Sequence, residues 1–294
     1  MATAGQIITK AKRHLLSGTI EERNRLTSNI NSSTTSVVLD FDLAGFREGT
    51  VFEIDSELFY VWSTVPGTKT LTVERAYDGT TAAAHTGGAI ATLTPRFPRT
   101  QMLDAINSEL DDLSSAGTGV YAVTEVSLTY SNGASQLDLT AASNVLDLLN
   151  VRYRRTATEW VPVRGVYLQR GLPTTDFASG YALTFTEAVP SGTLRVEYSK
   201  QFTHVTSESD DMQTVALLPA TCEDIIEYGV ALCVMVGREV KRTFTESQGE
   251  TRRSDEVPSG ATNQSMAPLR AYRRDRIDAE ARRLAKKYVQ YNRR

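Results

Sequence analysis

Two stretches of this chain are crowded with short β-forming runs, and they limit its fold more than any other feature. Residues 35–94 contain "TSVVLDF", "TVFEI", "LFYVWSTV", "KTLTVER" and "GAIATL". Val, Ile, Phe, Tyr, Trp and Thr dominate these runs, and Gly, Pro, Asp and Ser punctuate them. The segment "IDSE" at 54–57 and the segment "VPGTKT" read as hairpin turns. An open sheet of strands this short would leave its edges bare, so the region predicts a small barrel or sandwich. Residues 120–198 repeat the theme with "VYAVTEVSLTY", "SQLDLT", "LLNVRYRRT", "WVPVRGVYLQR", "YALTFT" and "TLRVEYSKQF". The turn signals "SNGAS", "ASG" and "VPSG" divide them, again predicting a compact antiparallel unit.

Helical periodicity surrounds these regions. Ile7, Ile8, Ala11 and Leu15 share one face of residues 4–16, and Gly18 can stop that helix. Met102, Ile106, Leu110 and Leu113 repeat at helical spacing after Pro95 and Pro98, and Gly117 ends the run. In "PATCEDIIEYGVALCVMVGREVKRTF", Thr221 is placed to cap a helix with Glu223 and Asp224 in its first turn. Residues 246–265, "ESQGETRRSDEVPSGATNQS", have almost nothing to bury and read as a long polar loop that orders against a partner. From Leu269 onward, Ile277, Ala281, Leu284, Tyr288 and Tyr291 form one apolar stripe.

The predicted fold class is α+β: a helical bundle core with two small antiparallel β-barrel or sandwich domains inserted in it. The expected divisions are an N-terminal helix at 1–18, a first β domain at 35–95, a connecting helix at 98–116, a second β domain at 119–205, and C-terminal helices at 213–294 with the polar loop 246–265. A chain of 294 residues is long enough for two such domains. Cys222 and Cys233 stand about 16 Å apart on one predicted helix, too far to bond to each other. Their apolar surroundings predict two buried, reduced thiols, which fits assembly in a cytoplasm. The N-terminus lacks the apolar core of a signal peptide. The longest apolar run, "IIEYGVALCVMVG", is too short to span a bilayer and carries Glu227.

The sequence offers little that resembles catalysis. It has no phosphate-binding loop, dinucleotide fingerprint, metal-ligand spacing or nucleophile elbow. His14, His85 and His204 fall in three separate segments. Glu53, Asp55 and Glu57 alternate like metal ligands, but a turn at Asp55–Ser56 would make them diverge, so they read as a polar hairpin tip. The loop "VERAYDGTTAAAHTGGAIA" at 73–91 reads as structural: Gly79 takes a positive φ after Asp78, three alanines permit close backbone approach, and His85 bonds across the loop and pins it. Trp62 and Trp160 sit inside strand patterns and are expected to be buried.

One stretch resembles a known family. "VFEIDSELFYVWSTVPGTKTLTVERAYDGTTAAAHTGGAIA" resembles a pattern in virion proteins of tailed bacteriophages: an Ile-Asp-Ser-Glu hairpin, an "LTVxRG" strand and a "GTxAAAHxxG" loop. Here 54–57 match the hairpin, 71–75 the strand and 79–85 the loop, whereas Ala76 and Tyr77 depart from the usual Arg-Gly. The second β region and the helical C-terminus are similar to head-to-tail adaptor (connector, neck) proteins of such phages. The resemblance implies a non-enzymatic structural virion protein, without cofactor or metal, forming a homo-oligomeric ring in the virion neck after assembly in the host cytoplasm. The implied partners are the portal protein, neighbouring copies, a tail, tail-terminator or nozzle protein, and genomic DNA passing through the lumen unread, with no membrane. The alternatives are a baseplate or tail-completion protein and a host-surface or carbohydrate-binding module.

Charge adds a polarity to this picture. Net charge is only -3, so no whole-chain field points to a partner. Residues 269–294, however, carry ten basic residues against three acids. The candidate interface residues are Lys286, Lys287, Tyr288, Arg293 and Arg294 at this basic end, docking on an acidic portal surface, together with His85.

Overall fold

A computed structural model gives the architecture and describes residues 2–16, 21–115, 117–140, 144–247 and 261–288. The chain opens with α1 (Ala4–Leu16) and enters a six-stranded antiparallel sheet. Its strands are β1 (Arg23–Arg25), β2 (Ser36–Val38), β3 (Val51–Ile54), β4 (Glu57–Val65), β5 (Thr70–Glu74) and β6 (Ile90–Leu93). The strand order is β1-β6-β3-β4-β5-β2. The sheet curls into a half-barrel whose outer edges meet at one bridge, Leu26–Leu39. There Thr27 N–H donates to the Val38 carbonyl at 3.0 Å and Asp40 N–H to the Arg25 carbonyl at 2.9 Å. Alternation turns Phe52, Ile54, Phe59, Val61, Leu71 and Val73 inward. Phe52 stacks on Phe59 with ring centroids 4.8 Å apart. Burying each ring contributes about 2–3 kcal/mol.

Helix α2 (Arg99–Leu113) leads into the second β unit. This contains β7 (Ala122–Tyr130), β8 (Gln136–Asp138), β9 (Val145–Arg154), β10 (Trp160–Pro162), β11 (Val166–Arg170), β12 (Tyr181–Phe185) and β13 (Gly192–Lys200). A sheet ordered β10-β9-β13-β7 faces a sheet ordered β11-β12-β8. Leu128, Val151, Leu183, Leu194 and Val196 belong to the core they share. The chain ends in α3 (Glu223–Ser247) and α4 (Ala261–Lys287).

The expected helical bundle core is not what forms. Among the described residues the fold is mostly β, with thirteen strands in three antiparallel sheets against four helices. Two of the three hydrophobic clusters lie wholly in the β units. The third joins α1, α2, α3 and α4 to Val120, Ala122, Phe202, Val205, Met212 and Leu218 from the ends of the sandwich and the segment after it. An apolar stripe shows that a helix must be covered, but not by what. Here α1 and α2 are 13 and 15 residues long, and strand ends and loops share in covering the helices.

Other local expectations also change. Helix α3 starts after a short 3-10 turn, Ala220–Cys222, and the Thr221 hydroxyl donates to Glu280 rather than capping the helix. Helix α4 begins at Ala261 and runs through Pro268, where the sequence suggested a start. Both ends of the expected polar loop are therefore helical, and its middle, 248–260, lies outside the described residues. Cys222 is buried, but Cys233 is exposed.

Candidate functional site

The matched loop forms a lock on the half-barrel. Strands β3 and β4 pair through Ile54 and Glu57, leaving Asp55 and Ser56 as the turn, with Asp55 in the left-handed region at φ 51°. This geometry returns Glu57 to the inner face beside Phe59 and Val61. On β5, Leu71 and Val73 point inward, and Arg75 continues that period just past the strand end. Glu57 and Arg75 thus meet inside the barrel wall. The Arg75 guanidinium donates to both Glu57 oxygens at 2.7 and 2.8 Å and lies 4.8 Å from the Phe59 ring centroid. It also donates to the carbonyls of Asn31, Thr34 and Ala83.

His85 closes the lock. Its backbone pairs with Ile30 through two 2.9 Å hydrogen bonds. Its Nδ1 meets Asp55 Oδ2 at 2.7 Å, and its Nε2 meets Glu57 Oε2 at 2.9 Å. Glu57, 1 % exposed, accepts further N–H bonds from Ala76 and Ala83 at 3.1 and 2.9 Å. Burial pushes the Glu57 carboxyl up, but bonds from Arg75, His85 and those two amides overcome it and hold the group at about 2. Burial also opposes the imidazolium, yet Asp55 and Glu57 raise His85 to about 9. The His85 hydrogen bond holds Asp55 below the usual carboxylate range. With both ring nitrogens engaged and its proton retained at neutral pH, His85 is a clamp in this state, not a general base.

The signs of these shifts fix a pH profile. The His85 contribution is full below about pH 6.5 and is lost as pH rises through about 9. The Glu57 contribution is full above about pH 4.5 and is lost as pH falls through about 2. His85→Ala is therefore expected to cost on the order of 2 kcal/mol near pH 6. Denaturation of both proteins across pH 6–10 should show the difference shrinking toward pH 9.5; a gap independent of pH would mean that His85 is not held as a cation.

A second group ties the barrel to the helices. Glu53 reaches Lys12 of α1 at 3.6 Å and accepts the Arg99 N–H at the start of α2, an orphan donor of that helix. Burial lifts Glu53 to about 7 against the pull of Lys12 and of the Arg99 amide. Arg99 Nε donates to both Glu208 oxygens at 2.7 Å, and Ser56 at the hairpin tip donates to Glu208 at 2.5 Å. Glu53 thus diverges from its neighbours as expected, whereas Asp55 and Glu57 converge on His85. Between this seam and the loop at 78–85 lies a cleft of about 650 Å³, lined by Asp55, Asp78, His85, Asp104 and Glu208. His14 pairs with Glu227 and His204 with Asp111, each at 2.7 Å, so the three histidines serve three separate contacts.

The basic end of α4 divides its charges between inside and outside. Arg273 pairs with Glu109 and Asp112, Arg276 with Asp224, and Arg283 with Glu280. Ile277 and Leu284 are buried in the helical cluster, with Ala281 and Tyr288 packed against them. Lys286 and Lys287 are exposed, and Lys287 Nζ lies 5.1 Å from the Tyr288 ring centroid. Arg293 and Arg294 lie outside the described residues. His85 is not part of this group; it belongs to the barrel lock and is 4 % exposed.

The tryptophans depart from expectation. Trp62 is 53 % exposed at a bulge in β4, edge-on to Tyr60, which stacks on Tyr77. Trp160 is half-buried beneath Arg195. No protein-family model matches the chain, and no curated protein matches it.

Proposed function

We propose that this chain is a head-to-tail adaptor of a tailed-bacteriophage virion, a structural protein that forms a ring of identical copies between portal and tail. One observation carries the reading: the residues of the phage-like pattern converge on one lock. Asp55 and Glu57 come from the hairpin, Arg75 from the strand, and Ala83 and His85 from the loop. The resemblance therefore falls on residues that build the barrel rather than on scattered coincidences. The exposed lysines at the end of α4 supply a surface for an acidic rim of the portal, and a ring multiplies weak rim contacts. Tail or nozzle protein would sit on the opposite face of the ring, with genomic DNA in the lumen.

Lys286→Glu/Lys287→Glu tests this reading. The variant should keep the wild-type circular dichroism and melting temperature, yet attach to purified portal rings at least about tenfold more weakly. Wild-type attachment should itself weaken with added salt. Equal attachment of both proteins at every salt concentration would remove α4 from the portal contact. The Trp62–Tyr60–Tyr77 cluster, exposed at Trp62 and Tyr77, favours the host-surface alternative, and glycan binding that disappears in Trp62→Ala would move the assignment there.

A further inference from the structure

We propose that the outer face of β4 and β5 binds an arginine side chain of a partner protein, with Trp62, Tyr60 and Tyr77 supplying aromatic faces and Glu74 the carboxylate. Three backbone features present these groups together. A bulge between Val61 and Ser63 interrupts the β4–β5 register at Trp62, which is left exposed. Tyr60 lies directly opposite Val51 of β3 on one side and Glu74 of β5 on the other. Val51, Tyr60, Trp62 and Glu74 all point outward, because their chain neighbours Phe52, Phe59, Val61 and Val73 fill the barrel core. The two residues flanking Tyr77, Ala76 and Asp78, are both held in the left-handed region at φ 53°. That conformation is uncommon for alanine, so the turn accepts strain to lay Tyr77 on Tyr60, with ring centroids 5.2 Å apart.

The partner follows from charge and shape. Glu74 is exposed, and its carboxylate makes no ion pair or hydrogen bond among the described residues. Its chain neighbour Arg75 is turned inward and paired with Glu57. The turn that approaches the Tyr60 hydroxyl carries one charge of each sign, Arg47 and Glu48, so the face stays negative. Asp78, which lines the neighbouring cleft, adds to that sign. The row Val51–Tyr60–Glu74 spans about 10 Å and passes from apolar to aromatic to acidic. An arginine has matching parts: an aliphatic stem, a planar head that stacks on a ring, and N–H groups that fork onto a carboxylate. A lysine ammonium has no plane to stack. A neutral sugar packs best on a flat platform and makes no use of the Glu74 charge, whereas Trp62 stands at 70° to Tyr60. The site uses no residue of α4, so it neither needs nor tests the portal contact.

The probe is the end-capped hexapeptide Gly-Arg-Gly-Arg-Gly-Arg, titrated against the full chain carrying Trp160→Phe, which leaves Trp62 as the only tryptophan. Saturable change of Trp62 fluorescence is expected at low salt, with Kd on the order of 1 mM. The matching lysine peptide should bind at least about fivefold more weakly. Glu74→Gln and Tyr77→Ala should each weaken the arginine peptide at least about fivefold while keeping the wild-type circular dichroism. Absence of saturable binding, equal binding of the lysine peptide, or an unaffected Glu74→Gln protein overturns the proposal. Tetramethylammonium that competes as strongly as the arginine peptide would make the rings a general cation site and also overturn it. A glycan that occupies the rings and resists displacement by the arginine peptide would hand them to the host-surface reading.

Discussion

Glu57→Ala is expected to destabilise the half-barrel by about 3–5 kcal/mol, the largest loss from any single side chain discussed above. The reason is what the substitution leaves behind. Arg75 is 6 % exposed at its side chain, and His85 is almost fully buried. Without Glu57 both cations remain inside the wall, and the Ala76 and Ala83 amides lose their acceptor. The buried ion pair need not be stabilising relative to an apolar core; the penalty comes from breaking only one side of it. Trp62 lies in this barrel, so in a Trp160→Phe background its fluorescence follows barrel unfolding alone. Glu57→Gln, which keeps the shape and some of the hydrogen bonds, should cost less than the alanine. A loss below about 1 kcal/mol for Glu57→Ala would contradict the lock.

Gly229→Ala is expected to destabilise by about 2–3 kcal/mol, although it places a better helix former in α3. Helical propensity alone predicts a gain of about 1 kcal/mol. Packing decides otherwise: a Cβ at Gly229 would overlap the carboxyl of Glu109, which lies against this helix and pairs with Arg273 of α4. That carboxyl is the end of a flexible side chain, but it is buried, so turning it aside strains the ion pair that joins α2 to α4. Burial already raises Glu109 to about 7 against the pull of Arg273, so the pair has little reserve. Chemical denaturation of Gly229→Ala alone and combined with Glu109→Ala checks the mechanism. The glycine substitution should be harmful alone and neutral or favourable once Glu109 is truncated; equal harm in both backgrounds would place the cost elsewhere.

Much of the local structure was legible in the sequence because periodicity reports directly on burial. The stripe of Ile7, Ile8 and Ala11 gave α1, and that of Met102, Ile106 and Leu110 gave α2. Strand β1 was not legible: its three residues, Arg-Asn-Arg, are polar and only the middle one is buried. The lock was half legible. His85 stood out as a pin, but its partners did not, because charged residues are read as outward by default. The available signal was the period of two, which puts Glu57 in step with Phe59 and Val61 and Arg75 in step with Leu71 and Val73. Gly229 carried a signal of the same kind, an isolated glycine inside a helical run. Fold class failed at a different level. Each helix announced an apolar face, and chain order suggested that those faces met one another; strand ends and loops turned out to share in covering them.

Cryo-electron microscopy of a virion neck containing this chain tests the adaptor assignment most directly. The account predicts a closed ring of identical copies between portal and tail, with the end of α4 against the portal. The chain found in a baseplate, on the capsid surface, or absent from the neck would contradict it.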